Sequence, residues 1–479
     1  MKDPIGTENI DKRSGSFSRI MIAGTGSGCG KTTITCGILK ALMNKGLKVA
    51  SFKCGPDYID PMFHSEITGT KSRNLDMFLC GENTAKQLFA ENGGSADISV
   101  VEGVMGFYDG LGVNSVEYSS NDLSNKTGTP VILVLNCRNM ALSVAATIKG
   151  FLEFSENKIK GILLNGINPV MFPMYKKLIE RHNGTTVLGF MPDLPEASIE
   201  SRHLGLVTAQ EIDALKGKVD ILAENAARYI DLDALLQIAA AAPSLRYEPV
   251  DVEKTGCAAN SVKTVKIAIA KDKAFCFYYE DSIDLLRKIG AEMIPFSPLC
   301  DEALPEDIDG IILGGGYPEL YSEKLSRNSS MRKSIRMAIE KKVPVYAECG
   351  GFMYLGTSIN GYQMVNVIKT NAILTDKLQD FGYVSLTAGR ENLLCKKGEC
   401  IRAHEFHYSK SDFNGDAFTA IKVSTGKQRS CIYADENMFA GYPHLHLWGN
   451  IKFAEAFVSR CAEYRLGRSM EQEGAKQNR

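Results

Sequence analysis

A glycine-rich turn between an apolar strand and a helix-like segment constrains the fold of this chain more than any other sequence feature. Residues 24–33 read GTGSGCGKTT and follow the apolar stretch 20–23. In such a strand–loop–helix, glycine amides and a lysine hold nucleotide phosphates, and a threonine hydroxyl can bind Mg²⁺. The loop is a deviant P-loop, because Thr25 stands five residues before Gly30, where the usual pattern has glycine. A glycine turn that merely opens a helix is the alternative. The residues expected to bind ATP are Gly26, Gly28, Gly30, Lys31, Thr32 and Thr33.

Acidic residues near the ends of two further predicted strands suggest a metal and substrate site beside this loop. Glu102 ends an apolar strand, and Lys53 opens the segment KCGPDYIDP where another strand should end. Ligands of parallel sheets bind at the carboxyl ends of the strands, so we expect these groups to meet the phosphates. A solvated acidic loop and a proline-bounded turn capped by aspartate are the alternatives. The expected Mg²⁺ ligands are Thr32, Glu102 and Asp57, and the residues expected to serve a substrate carboxylate during its phosphorylation are Lys53, Asp57, Tyr58, Asp60 and Asp109.

Length and composition narrow the class of protein. A chain of 479 residues is too long for one ordinary core, so we expect two domains of roughly 200–250 residues each. The net charge of −1 gives no electrostatic reason for a nucleic-acid or anionic-membrane partner. No apolar run approaches the ~20 residues of a membrane span. Thirteen cysteines without a Cys-x-x-Cys pair favour neither disulfides nor a structural zinc site, and we expect a cytoplasmic protein.

Short apolar runs alternate with helix-like segments in both halves, which is typical of doubly wound α/β sheets. The first series of predicted strands is Arg19–Thr25, Val49–Lys53, Ile98–Glu102, Pro130–Asn136, Gly161–Asn165 and Thr186–Met191, with a last helix at Asp231–Ala242. The second series is Val265–Ala270, Ala291–Phe296, Gly310–Leu313, Val343–Ala347 and a strand-rich stretch around Met364–Val384, with helices at Ser282–Ile289 and Ser329–Lys341. We predict a flexible extension over 1–18, a first domain over 19–242, a linker over 243–264, a second domain over 265–464 and a polar, frayed tail over 465–479.

A cysteine at a second strand-to-helix turn indicates nucleophilic catalysis in the second half of the chain. Cys349 lies in the segment YAECGG after an apolar strand, close to a helix N-terminus that would lower the pKa of its thiol. A buried structural cysteine is the alternative. Three glycines end another predicted strand, where backbone amides can approach an oxyanion. The expected oxyanion-binding residues are Gly315, Gly316 and Gly350.

A nucleophilic cysteine requires a base, and the sequence offers two candidates near the chain end. His444 and His446 alternate along a predicted strand, which would put both on one face. Both remain open at this point, and structural histidines are the alternative. A second cluster at 404–408, which reads HEFHY, either lines the site or packs in the core.

Together these motifs resemble the family of cobyrinic acid a,c-diamide synthase and the related enzyme that amidates nickel sirohydrochlorin. The resemblance runs from about Arg19 to Tyr464, and its motifs also include Glu102-Gly-Val-Met-Gly, Arg202-His-Leu-Gly-Leu and Gly314-Gly-Gly-Tyr-Pro-Glu. It implies a dethiobiotin-synthetase-like P-loop domain with a doubly wound sheet, followed by a class I glutamine amidotransferase-like α/β domain. It also implies that Cys349 releases ammonia from glutamine, while ATP and Mg²⁺ activate acetate side chains of a tetrapyrrole as acyl phosphates. The sequence leaves open whether the protein forms a homodimer.

Several positions depart from the family pattern or allow other interpretations. Many class I amidotransferases carry a glutamate two residues after the catalytic histidine, whereas His446 and Trp448 stand at the corresponding positions here. Ala403 precedes His404 where glycine is expected. Asn165 either reads adenine or is a loop residue, and Arg202 with His203 contacts substrate carboxylates or stabilises a domain interface. The alternative functions are a cobyric acid synthase, a dethiobiotin-type carboxylate ligase, and a P-loop ATPase switch with an inactive amidotransferase domain.

Overall fold

The chain forms two compact units, each with its own hydrophobic core, in a computed structural model that describes residues 13–197, 209–252 and 264–477. Among these residues, the first unit comprises 13–77, 81–197 and 209–251, and the second comprises 78–80, 252 and 264–477. The boundary between them at residue 251 falls within the segment 243–264, which the sequence analysis assigned to a linker. No helix in the described parts of the chain combines the length and apolar character needed to cross a bilayer.

The first unit is an α/β unit, with nine strands in its described residues. Its elements are β1 Arg13–Gly15, β2 Arg19–Gly24, α1 Lys31–Asn44, β3 Val49–Cys54, α2 Ile59–Thr68, β4 Arg73–Leu75, α3 Met77–Cys80 (which crosses the boundary), α4 Glu82–Gly93, β5 Ile98–Glu102, α5 Ser120–Thr127, β6 Val131–Asn136, α6 Ser143–Glu153, β7 Ile159–Asn165, α7 Phe172–Asn183, β8 Val187–Met191, α8 Ala209–Tyr229, α9 Leu232–Ala240 and β9 Leu245–Tyr247.

Seven of these strands form one parallel sheet in the order β4-β3-β5-β2-β6-β7-β8. The central strands are buried throughout, as expected for a parallel sheet with helices on both faces. Strand β5 lies between β2 and β3, with Ile22 and Lys53 both paired to Glu102. The phosphate loop and these two charged residues therefore lie at the same edge of the sheet.

The second unit combines a mostly parallel sheet with antiparallel sheets. Its elements are β10 Val265–Ala270, α10 Glu280–Lys288, β11 Ala291–Phe296, β12 Gly310–Leu313, α11 Ser322–Arg327, α12 Ser329–Glu340, β13 Val345–Glu348, α13 Gly350–Leu355, β14 Ser358–Ile359, β15 Tyr362–Gln363, β16 Asn371–Leu374, β17 Asp380–Ala388, β18 Cys400–His407, β19 Ser409–Ser411, β20 Phe418–Lys422, β21 Gln428–Cys431, β22 Tyr433–Ala434, β23 Met438–Gly441, β24 His444–Leu445 and α14 Ile451–Gln477.

The order β11-β10-β12-β13-β23-β22 defines the main sheet of this unit, and only β22 runs antiparallel to its neighbour. A five-stranded antiparallel sheet, β21-β20-β17-β18-β24, lies beside a four-stranded one, β15-β14-β16-β19. The α/β fold class predicted from the sequence, a P-loop unit followed by an amidotransferase-like unit, is confirmed.

Two boundary predictions are wrong for the described residues. The predicted extension over 1–18 contains β1, which pairs antiparallel with β9 inside the predicted linker. Backbone hydrogen bonds order these short segments, although neither has a marked apolar pattern. The tail predicted to fray after residue 464 instead continues helix α14 through Gln477, and Arg468 anchors that helix by donating to Ile308 O and pairing with Asp309.

Candidate active sites of the two units

The phosphate loop connects the end of β2 to the start of α1 and depends on glycine at two positions. Gly28 and Gly30 have φ values of +73° and +98°, which side chains rarely adopt. A Cβ on Gly30 would lie 2.1 Å from Asn165 Nδ2, and that nitrogen donates to Cys29 O at 2.9 Å. Gly26 has open space around it. The structure therefore places Asn165, which was expected to read adenine, in contact with the loop backbone.

Lys31 and Thr32 are the first two residues of α1 and carry the ammonium and hydroxyl groups expected of a phosphate site. Lys31 Nζ donates to Gly26 O at 2.9 Å and to Met105 O at 2.5 Å, and burial lowers the pKa of this lysine. Thr32 Oγ1 donates to Glu102 Oε1 at 2.7 Å. A hydroxyl and a carboxylate are hard oxygen donors, which suit Mg²⁺. Thr33 follows on α1 and is partly exposed.

Beside the loop, a buried cluster of charges surrounds Lys53 at the end of β3. Lys53 Nζ lies 2.5 Å from Asp60 Oδ2, 2.9 Å from Glu102 Oε1 and 4.0 Å from Asp57 Oδ2. Burial would lower the pKa of Lys53, but Asp60 and Glu102 raise it well above its usual value. Burial raises the pKa of Asp60, together with the charges of Asp57 and Glu102.

Glu102 is held as an anion in the core of the sheet. Burial alone would raise its pKa, but the charge of Lys53 and hydrogen bonds from His64 and Thr32 hold that pKa well below the usual range. Sequence reasoning missed His64, which is fully buried on α2 with Nε2 2.8 Å from Glu102 Oε2. Its spacing of four residues from Asp60 on one helix was the available signal.

The other residues predicted for this site lie at the start of α2 or in a loop. Asp57 Oδ1 accepts from the amides of Ile59 and Asp60 at 2.8 and 3.2 Å, so it caps the start of α2. Tyr58 immediately precedes this helix. Asp109 is exposed and its carboxylate accepts from Gly106 N at 2.8 Å within its own loop. Arg202 and His203 lie outside the described residues.

Cys349 forms a sharp turn between β13 and α13 in the second unit. Its backbone has φ 44° and ψ −98°, its amide donates to Gly441 O at 2.7 Å, and 5% of the residue is exposed. A strained cysteine between a strand and a helix is the geometry of a nucleophile elbow. A Cβ on Gly351 would lie 2.1 Å from Leu313 O, so only glycine lets the helix start this close to β12.

His444 and Glu348 complete a triad with this cysteine. His444 hydrogen-bonds to Cys349, and its Nδ1 lies 3.3 Å from Glu348 Oε2. Burial would lower the pKa of His444, but these two partners raise it to about 10. Glu348 Oε1 also accepts from the Tyr346 hydroxyl and, at 2.8 Å, from Leu445 N, which fixes the carboxylate.

His446, the other predicted base, occupies a different environment. Within the described parts of the chain, neither of its ring nitrogens has a hydrogen-bond partner, and its ring centroid lies 5.0 Å from that of Tyr279. Burial lowers the pKa of His446 to about 4. Strand β24 ends at Leu445, before the predicted alternation could place both histidines beside Cys349. The structure thus brings His444, and not His446, to the thiol.

The predicted oxyanion-binding glycines lie around this triad. A Cβ on Gly350 would lie 3.3 Å from Gly316 N and 2.9 Å from Pro318 Cδ, so the amide of Gly316 lies close to the first turn of α13. A Cβ on Gly315 would lie 2.5 Å from His444 Cε1. Gly316 has φ +150° and continues into the turn Pro318–Leu320. The glycine turn and the elbow therefore meet at the nucleophile.

Four residues of the HEFHY segment, 404–407, lie on β18, next to the strand that carries His444. His404 pairs directly with His444 across the two strands, and burial lowers the pKa of His404 to about 3. The ring of His407 stacks on Tyr442 at 3.9 Å, and Glu405 pairs with Arg429. Ala403, where glycine was expected, pairs with Leu445. This segment therefore supports the strand that carries His444.

Comparisons with known proteins give a domain family for each unit. Residues 20–207 match the family model of the CobQ/CobB/MinD/ParA nucleotide binding domain, and residues 266–451 match that of the CobB/CobQ-like glutamine amidotransferase domain. A cobyrinate a,c-diamide synthase of Clostridium tetani is 42% identical over 453 residues, an alignment that covers 92% of this chain and 99% of the relative. The chain belongs to the cobyrinate a,c-diamide synthase family.

Members of this family from other organisms show similar sequence identity and coverage. The cobyrinate a,c-diamide synthase of Listeria innocua is 41% identical over 447 residues, covering 91% of this chain and 97% of the relative. That of Thermoplasma volcanium is 40% identical over 456 residues, covering 93% and 98%. Membership confirms the predictions of a nucleotide-binding domain and of a ligase that takes its amide nitrogen from glutamine.

Proposed function

We propose that this protein amidates the a- and c-acetate side chains of a tetrapyrrole, cobyrinate or nickel sirohydrochlorin, through acyl phosphates. The observation that carries the proposal is the hydrogen-bonded set of Cys349, His444 and Glu348 in a chain that also carries the phosphate loop and Glu102. An inactive amidotransferase domain would have no reason to hold a strained cysteine against a histidine whose pKa is raised to about 10. The pathway is cobalamin biosynthesis for the first macrocycle and coenzyme F430 biosynthesis for the second.

The second unit liberates ammonia. The sulfur of Cys349 attacks the side-chain carboxamide of glutamine, and the amides of Gly316 and Gly350 stabilise the oxyanion that forms. His444 takes the proton of the Cys349 thiol and donates it to the departing nitrogen, while Glu348 keeps the ring oriented. The carbon–nitrogen bond breaks, ammonia leaves, and water then hydrolyses the thioester to glutamate.

The first unit activates the acid that ammonia attacks. A carboxylate does not react with ammonia, but its acyl phosphate does, because phosphate is a good leaving group. Lys31 and the loop amides hold the ATP phosphates, and Lys53 neutralises charge where the substrate carboxylate would approach. Thr32 and Glu102 would hold Mg²⁺, which neutralises the charge on the transferred phosphoryl group. Ammonia displaces phosphate, and a second cycle gives the diamide.

Two variants test whether the two sites have separate roles. We expect Cys349→Ala to abolish amidation with glutamine but to retain amidation with ammonium salts, because only nitrogen release needs the thiol. Lys31→Ala should lose amidation with either nitrogen source. Cys300→Ala, at an exposed cysteine of the second unit, is the matched control. Retained glutamine-dependent synthesis in Cys349→Ala, or any synthesis in Lys31→Ala, would contradict the proposal.

The same assay identifies the substrate. The protein is incubated with ATP, Mg²⁺, glutamine and either cobyrinate or nickel sirohydrochlorin, and the macrocycle is then weighed by mass spectrometry. Each conversion of an acid to an amide lowers the mass by about one unit, so a loss of about two units marks the diamide. Sedimentation of the active protein would show whether it is a homodimer, as the sequence analysis left open.

A further inference from the structure

The carboxylate of Glu319, which follows the glycine turn of the glutaminase site, accepts a hydrogen bond from its own backbone amide and has no cationic partner among the described residues. Glu319 lies in the turn Pro318–Leu320, three residues after Gly316. Its Oε2 is enclosed and, among the residues the structure describes, accepts no hydrogen bond and contacts no cation. The residue as a whole is partly exposed, although the carboxylate itself is largely enclosed. Burying a carboxylate without a partner is unfavourable, which indicates a group that a ligand is meant to satisfy.

This carboxylate lies close to the nucleophile. Pro318, the residue before it, packs 2.9 Å from the Cβ position of Gly350, the first residue of α13. Tyr442 is within electrostatic reach of both the Cys349 thiol and the Glu319 carboxylate. Burial raises the pKa of Glu319 to about 7, and the described groups that interact with it include the Cys276 thiol and the Tyr442 hydroxyl, neither of which is a cation. Nothing in this part of the described chain supplies the positive charge that would satisfy it.

We propose that Glu319 binds the α-ammonium group of glutamine while Cys349 attacks the carboxamide at the other end. The inference rests on the proposed glutaminase function of Cys349. The α-ammonium is the only cationic group of glutamine, and it lies four bonds from the carboxamide carbon, about 5 Å in an extended chain. A carboxylate one residue beyond the segment that packs against the elbow can hold one end of such a ligand while the other end reaches the thiol. Glu319 thus selects glutamine among small primary amides.

The test compares glutamine with 4-carbamoylbutanoate, which has the same carboxamide and carboxylate but no α-amino group. Ammonia release is measured for the wild-type protein and for Glu319→Gln, in the full chain with ATP and macrocycle present. We expect Glu319→Gln to raise KM for glutamine about 10- to 100-fold, the usual effect of removing one partner of an enclosed charge pair, with a smaller change in kcat. KM for 4-carbamoylbutanoate should stay the same, so the preference for glutamine should fall by the same factor.

Three controls keep the result specific. Glu323→Gln, in the adjacent helix α11 at an exposed residue paired with Arg327, should behave as wild type. Glu319→Asp keeps the charge and should retain part of the preference for glutamine; should Glu319→Gln fail to fold, the preference of Glu319→Asp decides the question. Amidation with ammonium salts should be unchanged in each variant.

The outcomes separate this inference from the function on which it rests. Equal losses with both amides, or an unchanged preference for glutamine, would overturn the assignment of Glu319 while leaving Cys349 as the nucleophile. Absence of any glutaminase activity in the wild-type protein would overturn both. A KM effect confined to ammonium salts would assign the carboxylate to the ammonia product instead of the amino acid.

Discussion

The carboxylate in contact with His444 is adjacent in sequence to the cysteine that His444 also contacts. Glu348 ends β13, Cys349 follows it, and His444 lies 96 residues away in sequence from Glu348. The family pattern places the carboxylate two residues after the histidine, where this sequence has His446 or Trp448, so its origin is not evident from the sequence. Only the pairing of β24 with β18 and the position of β13 bring Glu348 to the imidazole. The nucleophile could be predicted from a local turn, but its supporting charge could not.

Replacement of Glu348 should show how much the orientation of the His444 ring contributes, because the Cys349 thiol stays in place. We expect Glu348→Gln to lower kcat for glutamine hydrolysis by about 10²-fold or more, since general acid–base groups contribute factors of that size when correctly oriented. The pKa of His444 should fall as well, because Glu348 is one of the two groups that raise it. NMR titration of the ring gives the pKa, and ammonia release gives kcat.

Glu436→Gln, at an exposed side chain of the same unit, is the control for Glu348→Gln. Amidation with ammonium salts should persist in both variants. An unchanged kcat with a normal fold would mean that His444 is oriented without Glu348.

Lys53 is the residue whose loss should most disturb the first unit. Among the described residues, it pairs with both Asp60 and Glu102; the Glu102 side chain is fully buried and that of Asp60 is 17% exposed. Removing one partner from such a buried pair typically costs ~3–5 kcal/mol, because the remaining charge is left without compensation. We expect Lys53→Met to lower the free energy of unfolding by about that amount, as measured by urea denaturation.

Lys45 gives the matched comparison for Lys53. It pairs with Asp233 at 2.7 Å on the surface, where such pairs contribute ~0–1 kcal/mol. Lys45→Met should therefore leave the unfolding midpoint nearly unchanged. Equal effects of the two substitutions would contradict the view that the charges around Lys53 are uncompensated without it.

Among the elements, α1 depends on a close contact with α8. A Cβ on Gly37 of α1 would lie 3.0 Å from Leu222 O on α8, so the two helices meet at a residue without a side chain. Because α1 also carries Lys31 and Thr32, its position along the sheet sets the position of the phosphate groups. A bulky residue at this contact should displace α1 from α8.

Two glycine-to-valine substitutions test this contact. We expect Gly37→Val to destabilise the protein by about 1–3 kcal/mol through overpacking and to weaken nucleotide binding. Gly150→Val, within α6 at an exposed glycine with open space around it, should be neutral or slightly stabilising, because valine has a higher helix propensity than glycine. Thermal denaturation and titration with ATP give the two measurements. Similar losses in both variants would indicate a general cost of valine in helices.

Elements formed by burial of apolar residues could be predicted from the sequence, whereas those formed by backbone pairing could not. The parallel strands β2, β5 and β6 are continuous apolar runs, because helices cover both faces, and their sequence therefore shows them directly. Strands β1 and β9 have no such pattern and are ordered by backbone pairing between segments some 230 residues apart, which no local pattern indicates. The antiparallel strands β17 to β21 alternate only weakly, so the sequence predicted just a strand-rich stretch at their start.

At the scale of the whole molecule, each set of predicted site residues is contained in one unit. The phosphate loop, Lys53 and Glu102 belong to the first unit, and Cys349, His444 and Glu348 belong to the second. Each unit also has its own core. Every contact in each set is internal to its unit. We therefore expect a ligand to stabilise the unit that binds it more than the other unit.

Hydrogen exchange should report this separation directly. ATP at about 100 times its Kd stabilises a protein that binds it only when folded by ~2.7 kcal/mol, so exchange that proceeds through unfolding of the first unit should slow about 100-fold. The largest added protection is expected in the residues 24–33, whose amides would hold the phosphates. Lys31→Ala should remove the effect, and Lys45→Ala should not, since Lys45 lies at the far end of α1 and pairs with Asp233. Protection by ATP confined to the residues around Cys349 would place the nucleotide in the wrong unit.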